Sequence, residues 1–304
     1  MECSTIIVSY NTFSLTREAV ATALTAAPGL ESEVIVVDNA SPDESARRLR
    51  EAFAGDDRVR VIESGGNIGF SAANNVGAKA ARGEILFFLN PDTLVHGDAI
   101  ATLADHLRQY AEVGAVGPRV LNTDGTEQVC AAHAPSYRRV VQRFLAPASI
   151  ARLALSRGGE PVDVDVVKGC SLAVRRGPFE AVGGWDESTF MYAEENELCF
   201  ALQRLGLVNR IVPSAVITHH GGAASLDRYV EHQILATRNG VAFMRRYASR
   251  GLVGFHRAMG AVAFAARAAA FPLLALAVPG RRNEYRRRGK AAAALAKWFA
   301  FTHD

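Results

Sequence analysis

The 304-residue chain predicts an α/β fold with a mostly parallel sheet flanked by helices. Short runs of β-branched and aromatic residues alternate with helix-length segments along its first half, as in successive β-α-β units. The linkers between them are short, which is typical of parallel strands joined by right-handed helical crossovers. At this length we expect one large α/β domain with a smaller appendage.

Buried apolar runs predict the strands, and start and stop signals predict the helices between them. Ser41, Pro42 and Glu44 form a capping-box start for the second helix. The elements expected up to residue 121 are strand 5–10, helix 14–27, strand 34–37, a helix capped by Ser41, strand 59–62, helix 71–81, strand 85–89, helix 97–110 and strand 116–121. Residues 131–161 are irregular and basic, and we predict a mobile segment there. A β-rich run over 162–174, a helix over 194–205 and a strand over 207–218 follow.

Asn90-Pro91-Asp92 ends the apolar run 85–89 abruptly. Pro91 cannot donate to a ladder, so Asp92 lies just beyond the carboxyl end of a buried strand. Ligands bind at that edge of open α/β sheets. A carboxylate with an amide oxygen two residues earlier suits a divalent cation. The alternative is that Asp92 caps the next helix.

Two other strand ends carry polar residues, Ser9-Tyr10-Asn11 and Asp38-Asn39. The rule for open sheets predicts that they meet Asp92 in one crevice. Asp38 can accept the imide N–H of uracil or thymine, or it can cap the following helix. The glycines and asparagines of residues 65–75 suit either a close backbone approach to a ligand or a structural loop.

Residues 191–198 (Met-Tyr-Ala-Glu-Glu-Asn-Glu-Leu) place three acids at a helix start. Glu194 and Glu197 share a helix face, while Glu195 points elsewhere. A solvated helix N-terminus is one interpretation, because acids there suit the macrodipole. The other is a general base whose pKa is raised by its neighbours. His219, at the end of the last strand, is a candidate partner for a carboxylate-held cation.

Several classes of protein are disfavoured by missing motifs. GxGxxG is absent after the first strand, and no Walker A loop is present, so any phosphates would be held by a cation rather than by glycines. A nucleotidyltransferase should carry a Gly-rich basic loop after strand one, and residues 9–15 have none. The intact acids argue against a catalytically dead, lipid-attached binding protein.

Charge is segregated along the chain. Residues 1–227 carry 20 Lys/Arg against 28 Asp/Glu, and residues 228–304 carry 14 against 3. We predict a catalytic domain over 1–227 and a helical, basic region over 228–304 that meets an anionic membrane surface. Arg267 and Pro272 interrupt the apolar run 258–279, which favours an interfacial helix over a spanning one. Packing on the catalytic domain or on a second subunit is the alternative.

Four cysteines form no CxxC pair, so neither a zinc knuckle nor a disulfide framework is predicted. A strand follows Met1 almost at once, and we therefore expect no signal peptide. The expected location is the cytoplasm, peripheral at the inner face of the plasma membrane. No nucleic-acid partner is expected.

Seven motifs occur in a fixed order along residues 7–220. They are Ile-Val-Ser-Tyr-Asn (7–11), Val-Val-Asp-Asn-Ala-Ser (36–41), Gly-Asn-Ile-Gly-Phe (66–70), Leu-Asn-Pro-Asp (89–92), Gly-Trp-Asp (184–186), Glu-Glu-Asn-Glu-Leu-Cys (194–199) and His-His (219–220). Together they resemble the family 2 glycosyltransferases of the bacterial rhamnosyltransferase-like group. The resemblance covers roughly residues 4–240.

The resemblance implies a GT-A fold and inverting, metal-dependent transfer from a nucleotide-diphosphate sugar to a hydroxyl of a cell-surface glycan or lipid-linked acceptor. dTDP-rhamnose is the expected donor, with UDP-galactofuranose or a UDP-hexosamine as alternatives. A homo-oligomer formed through the C-terminal helices is a further expectation. The family's acid pair is usually Glu-Asp, whereas this chain has Glu194-Glu195, whose second acid reaches one methylene further.

The same resemblance assigns roles to individual residues. The nucleotide would be bound by Ser9, Tyr10, Asn11, Asp38, Asn67 and Asn90. Mg²⁺ or Mn²⁺ would be held by Asp92 and His219. The sugar or acceptor would meet Gly169, Trp185, Asp186 and Glu194. Glu195 would be the catalytic base, and Asn90 stands where related enzymes often carry a first aspartate.

Overall fold

The computed structural model describes residues 1–145, 159–221 and 229–301. These described residues form two compact units. The first lies within Met1–His133 and Leu153–Ala224, and the second lies within Ala134–Arg152 and Ser225–Asp304. The second unit thus includes a helix, Tyr137–Leu145, from the part of the chain that we predicted to be irregular. In that helix, Val140 and Phe144 are buried against later helices of the chain. These tertiary contacts stabilise the helix, and its own sequence does not reveal them. Residues 146–158 of the predicted mobile segment lie outside the described residues.

The first unit alternates strands and helices. Its strands are β1 (Cys3–Ser9), β2 (Ser32–Asp38), β3 (Val59–Glu63), β4 (Ile85–Leu89), β5 (Thr93–His96), β6 (Val113–Leu121), β7 (Ala131–Ala132), β8 (Val162–Val164), β9 (Val166–Val167), β10 (Ser171–Arg175) and β11 (Val208–His219). Its helices are α1 (Phe13–Thr25), α2 (Ser45–Ala52), α3 (Phe70–Ala80), α4 (Ala99–Gln109), α6 (Arg176–Ala181) and α7 (Glu194–Arg204). The second unit contains α5 (Tyr137–Leu145), α8 (Tyr229–Tyr247), α9 (Arg250–Ala277), a 3₁₀ turn (Pro279–Arg281) and α10 (Arg282–Phe301).

The main sheet has the strand order β3-β2-β1-β4-β10-β6-β11-β5, with β8 also pairing with β11. Strands β1 to β4 run parallel, and β10 lies antiparallel between β4 and β6. Strand β11 returns parallel to β6. The predicted α/β class with a mostly parallel sheet and C-terminal helices is confirmed.

The register brings the polar strand ends to one edge of the sheet. Ser9 lies opposite Asp38, and Ile7 lies opposite Leu89. Every residue of β4 is buried, as expected for a strand covered on both faces. The crevice therefore forms where β1, β2 and β4 end.

The predicted start of the second helix at Ser41 is wrong. The backbone N–H of Ser41 donates to Asp38 Oδ1 (2.9 Å), and its hydroxyl accepts from the Asn11 N–H (2.9 Å). Both groups are used in the turn after β2, and the helix begins at Ser45 instead. Asp43 Oδ1 accepts the Ser45 N–H there (3.1 Å).

Two further local expectations are corrected. Asp92 does not cap the following helix, because β5 intervenes and Asp98 is the N-cap residue of α4. Pro272 does not interrupt α9, which continues to Ala277. The adjacent Phe271 ring stacks on Tyr285 of α10 (centroids 6.1 Å apart), so tertiary packing holds the helix through the proline.

Gly77 sets how closely α3 approaches the sheet, because a Cβ there would lie 2.5 Å from Ile6 Cγ2 and 3.1 Å from Val37 Cγ2. Gly77→Ala should therefore destabilise the protein by about 1–3 kcal/mol despite the better helix propensity of alanine. Gly177→Ala is the control, since its Cβ would meet no atom within 4 Å. Urea unfolding checks both. Equal midpoints for the two variants would contradict the close approach.

Candidate active site

One carboxylate oxygen of Asp38 accepts a hydrogen bond within the protein, and the other has no partner among the described residues. The residue is 2 % exposed, and Oδ1 accepts the Ser41 N–H. Oδ2 is buried and accepts no hydrogen bond from the described residues. A buried carboxylate oxygen without a donor is costly, so a ligand N–H there would be stabilising. Asp38 can therefore stabilise the turn through Oδ1 and bind a ligand through Oδ2 at the same time.

Asn39 holds the loop that carries Asn67. Its amide donates to Asn67 Oδ1 (3.1 Å), and its carbonyl oxygen accepts the Ile68 N–H (3.0 Å). Asn67 is exposed at the start of α3. The loop from 64 to 69 is thus fixed to the end of β2, which orients Asn67 beside Asp38.

The three residues after β1 differ in accessibility. The Ser9 side chain is fully buried and bonds to Thr16 (3.0 Å) and Thr12 (3.3 Å), so its hydroxyl anchors α1 rather than facing the crevice. Tyr10 is 44 % exposed. Asn11 is exposed in the left-handed region (φ 58°), with its N–H on Ser41. Of the three, Tyr10 and Asn11 can reach a ligand.

Asp92 and His219 are brought together by the pairing of β5 with β11. His219 Nε2 lies 3.2 Å from Asp92 Oδ1, and the His220 N–H donates to the Asp92 carbonyl (2.9 Å). Asn90 Nδ2 is 3.4 Å from the same ring nitrogen. Burial alone would raise the pKa of Asp92, but the hydrogen bond and charge of His219 outweigh it and lower this pKa.

Gln128 orients the His219 ring. Its Oε1 lies 2.6 Å from His219 Nδ1, and its Nε2 donates to Asn122 Oδ1 (2.8 Å). In the neutral ring, a hydrogen on Nδ1 leaves a lone pair on Nε2, which then faces the Asp92 carboxylate. Two acceptors this close need a proton or a cation between them. The pair therefore fits a divalent metal, although the described residues contain no cluster of three or more His, Cys, Asp or Glu that could hold one. The donor's phosphates and water would supply the remaining ligands.

The segment Lys168-Gly169-Cys170, between β9 and β10, links this pair to the acidic helix. The Asn90 N–H donates to the Cys170 carbonyl (2.9 Å). Lys168 Nζ donates to Glu195 Oε1 (3.0 Å). Gly169 lies against both acids, since a Cβ there would be 3.4 Å from Glu195 Cβ and 3.7 Å from Glu194 Oε1. One short segment thus contacts both halves of the site.

Glu194 and Glu195 are both buried, at 6 % and 7 % exposure, and Lys168 Nζ lies 3.0 Å from Glu195 Oε1. Burial, together with the Glu195 charge, raises the pKa of Glu194 to about 8. Glu194 Oε2 has no hydrogen-bond partner among the described residues. Glu194 is therefore protonated at neutral pH, beside a Glu195 whose Oε1 accepts a hydrogen bond from Lys168.

The backbone just before α7 is strained. Tyr192 (φ 69°) and Ala193 (φ 72°) both adopt left-handed conformations, which cost non-glycine residues of order 1 kcal/mol or more each. The preceding loop is fixed to α3, because the Phe190 carbonyl accepts the Phe70 N–H (2.8 Å). This geometry starts the helix at Glu194 and turns its first acids inward.

Trp185 belongs to the core, which corrects the prediction that it meets a sugar. It is 1 % exposed and packs edge-on against Phe88 (centroids 5.0 Å apart). Asn75 clamps its backbone, accepting the Trp185 N–H (3.0 Å) and donating to its carbonyl (2.9 Å). Asp186 follows, half-buried, with Oδ1 accepting the Ser188 N–H (2.9 Å).

Sequence reasoning placed Asn39 at the crevice without giving it a role, and it did not assign Lys168, Gln128 or Asn75 to the site. Each acts on a partner far along the chain, such as Lys168 on Glu195. The one available signal was Asn75, an asparagine inside a predicted helix, where this residue is unfavourable unless its side chain is bonded. The structure shows that it bonds to the backbone of Trp185.

Residues 4–147 match the family described as Glycosyl transferase family 2. A hexosyltransferase of low-salt glycan biosynthesis from Haloferax volcanii, Agl10, is 32 % identical over 57 % of this chain and 54 % of its own. An N-acetylglucosaminyl-diphospho-decaprenol L-rhamnosyltransferase from Mycobacterium tuberculosis is 29 % identical over 62 % of this chain and 66 % of its own. The chain therefore spans between half and two thirds of the length of these relatives.

Solved structures share the fold at low identity. The mannosyltransferase PcManGT from Pyrobaculum calidifontis, in complex with GDP-Man and Mn²⁺, matches with a TM-score of 0.61 and 20 % identity over 100 % of this chain and 88 % of its own. GalNAc-T7 with UDP, GalNAc and Mn²⁺ matches at 0.57 and 18 % identity over 72 % of this chain and 43 % of its own. The expected GT-A fold is confirmed.

Glu194→Gln should stabilise the protein more and more as the pH rises from about 5 to about 8. The folded state keeps Glu194 protonated up to about pH 8, whereas in the unfolded chain this group ionises near 4.5. Unfolding therefore releases a proton over this window, and wild-type stability falls as the pH rises. Glutamine carries no charge at any pH.

Thermal unfolding midpoints of wild type and variant across this range measure the effect. Glu18→Gln, at an exposed position of α1, is the matched control and should show no such trend. A midpoint difference for Glu194→Gln that stays constant with pH would contradict the protonated state.

Proposed function

Because residues 4–147 match glycosyl transferase family 2, we propose that this chain moves a sugar from a nucleotide-diphosphate donor to a hydroxyl group of a glycan or lipid-linked acceptor. The observation that carries the proposal is the contact of the 168–170 segment with both Glu195 and the strand end that bears Asp92. A base and a site for the donor phosphates are then neighbours. Sugar transfer needs both at once.

The donor is proposed to bind across the ends of β1, β2 and β4. Asp38 Oδ2, buried and without a partner among the described residues, would accept the N3–H of uracil or thymine. Asn67 and Asn11 would contact the nucleoside from the two flanking loops, and the exposed Tyr10 ring is available to stack on the base. Ser9 supports this surface from beneath.

Asp92 and His219 would hold Mg²⁺ or Mn²⁺, which when bound would neutralise charge on the donor diphosphate. Asn90 Nδ2 lies 3.4 Å from His219 Nε2. Gln128 would keep the His219 ring oriented for this role. The metal-bound structural neighbours support a divalent ion of this kind.

Glu195 is proposed as the general base. Its carboxylate takes the proton of the acceptor hydroxyl while that oxygen forms a bond to C1 of the sugar. The bond between C1 and the diphosphate oxygen breaks, and the nucleoside diphosphate leaves with the electron pair. Attack from the opposite face inverts the configuration at C1 in a single displacement. Lys168 holds the Glu195 carboxylate in place by its hydrogen bond, and Gly169, Glu194 and Asp186 border the acceptor side.

The proposed donor is dTDP-rhamnose, with UDP-galactofuranose and UDP-hexosamines as competing donors. A relative named as an L-rhamnosyltransferase supports the first choice. We propose a cytoplasmic enzyme of polysaccharide biosynthesis that is peripheral at the inner face of the plasma membrane, where lipid-linked acceptors are found. Association through the C-terminal helices would make it a homo-oligomer.

A panel of nucleotide sugars assayed for release of nucleoside diphosphate tests the proposal and identifies the donor. Glu195→Gln should lower turnover on the active donor by about 10²–10⁴-fold, because the base is lost. Its affinity for the donor, measured by titration calorimetry, should stay close to that of wild type.

Glu180→Gln, which changes an exposed carboxylate of the same unit, is the control and should keep full turnover. Loss of both turnover and donor binding in Glu195→Gln would count against a base. Release of pyrophosphate from a nucleoside triphosphate and a sugar 1-phosphate would instead indicate a nucleotidyltransferase.

Asp92→Ala should remove the metal dependence of donor binding. In the wild type, added Mn²⁺ should strengthen binding of the nucleoside diphosphate at least tenfold, and in the variant this gain should disappear. Calorimetry with and without a chelator measures it. Asp98→Ala, which alters an exposed acid nearby, should behave as wild type. An unchanged metal effect in Asp92→Ala would remove this residue from the site.

A further inference from the structure

The last two helices of the second unit form a hairpin. Helices α9 and α10 are joined by the turn Pro279–Arg281, and we call residues 250–301 the terminal hairpin. Gly260 lies against Phe299, where a Cβ would come within 2.8 Å of the ring. Near the turn, Gly289 lies against Phe271, where a Cβ would be 3.4 Å from Phe271 Cβ. The arms therefore pack along most of their length.

One face of α9 is apolar and exposed. Val262, Leu273 and Leu276 are 70 %, 68 % and 72 % exposed, respectively. The other exposed positions along this arm from 254 to 277 carry no charged side chain; they are Gly254, Ala258, Ala265, Ala266, Ala269, Ala270, Pro272, Leu274 and Ala277. An uncharged face of this length is unusual on a surface that meets only water.

The only charged residue between 258 and 280 is turned away from that face. Arg267 is half-buried, and its guanidinium donates to the Phe144 carbonyl (2.7 Å) at the end of α5. It also lies over the Phe264 ring, 5.2 Å from the centroid. The charge that argued against a spanning helix from sequence is thus satisfied within the second unit.

The start of α10 is strongly basic. Arg281, Arg282, Arg286, Arg287, Arg288 and Lys290 are all exposed, and Glu284 is the only acid among residues 281–290. Glu284 pairs with Arg281 (2.7 Å) and Arg288 (2.7 Å). Exposed Leu273, Leu274, Leu276 and Val278 lie within a few residues of Arg281 and Arg282. The closed end of the hairpin therefore combines apolar and cationic side chains.

Helix α9 is long and apolar enough to span a bilayer by composition. Its packing argues for another arrangement. Because α10 lies along α9, a spanning α9 would carry the charges of α10 into hydrocarbon, where each costs about 2.5–3.5 kcal/mol or more. A helix pair lying in the interface meets no such cost.

We propose that the terminal hairpin docks on an anionic lipid bilayer, with the apolar face of α9 in the boundary between head groups and acyl chains and the basic residues of α10 on the lipid phosphates. The closed end of the hairpin is cationic, so it is complementary in charge to an anionic bilayer. A second copy of the chain would bring two cationic surfaces together, which disfavours that partner. The inference rests on the proposed peripheral location, and it names the surface responsible.

The test is flotation of the full chain with vesicles of phosphatidylcholine alone or mixed with phosphatidylglycerol. Wild type should float with the mixed vesicles only, and added salt should weaken this binding. Arg282→Gln/Arg286→Gln/Arg287→Gln should weaken it about fivefold for each charge removed. Leu273→Asp/Leu276→Asp should abolish it. Leu205→Asp, at an exposed leucine outside the hairpin, should bind as wild type.

Nucleoside diphosphate release from the donor, measured on the same samples, separates this inference from the proposed function. Wild type that releases product but ignores anionic vesicles would overturn the docking surface alone. Light scattering tests whether a second copy of the chain covers this face instead. If the wild type does not bind vesicles and is a dimer that becomes a monomer in Leu273→Asp/Leu276→Asp, the face is a subunit interface and the proposal is overturned. Wild type retained on vesicles after alkaline carbonate extraction would indicate a spanning helix and also overturn it.

Discussion

The pairing of β10 with β4 is the constraint on which the candidate site depends. The antiparallel strand enters a parallel sheet directly beside β4, with Ser171 opposite Leu89. Because β10 begins there, the segment before it lies at the carboxyl end of β4. Lys168 then reaches Glu195, and the Cys170 carbonyl holds the backbone of Asn90. Through this insertion, one segment contacts both the acidic helix and the strand end that carries Asp92.

The placement of strand ends could be predicted because it needs only local patterns and one rule of topology. Runs such as 34–37 and 85–89 are apolar, short and β-branched or aromatic, and each stops at a polar residue. Parallel strands put those stops on one edge, so the convergence of Asp38 and Asn90-Pro91-Asp92 follows without side-chain detail. The exact start of α2 did not follow. Asp38 accepts the Ser41 N–H that the Glu44 side chain would accept in the predicted capping box.

Side-chain partnerships could not be predicted, since they join residues distant in sequence. Gln128 and His219 are 91 positions apart, and Asn75 and Trp185 are 110 apart. No periodicity or spacing links such pairs. Trp185 illustrates the consequence. The resemblance placed its ring against the sugar or acceptor. Asn75 instead bonds to the backbone of Trp185, and the ring packs in the core against Phe88. Ser9 is similar, with its hydroxyl bound by two threonines of the next turn.

The adjacent acids of α7 show why burial alone does not identify a base. Glu194 and Glu195 are equally inaccessible, so desolvation disfavours the charge of each. Two buried carboxylates side by side cannot both ionise cheaply, and the environment must choose one. Burial and the neighbouring Glu195 charge raise the pKa of Glu194 to about 8, so the proton stays on Glu194, whose Oε2 meets no partner among the described residues. Lys168 Nζ lies 3.0 Å from Glu195 Oε1. The left-handed residues Tyr192 and Ala193 precede this helix start, so the backbone bears a conformational cost to place both acids there.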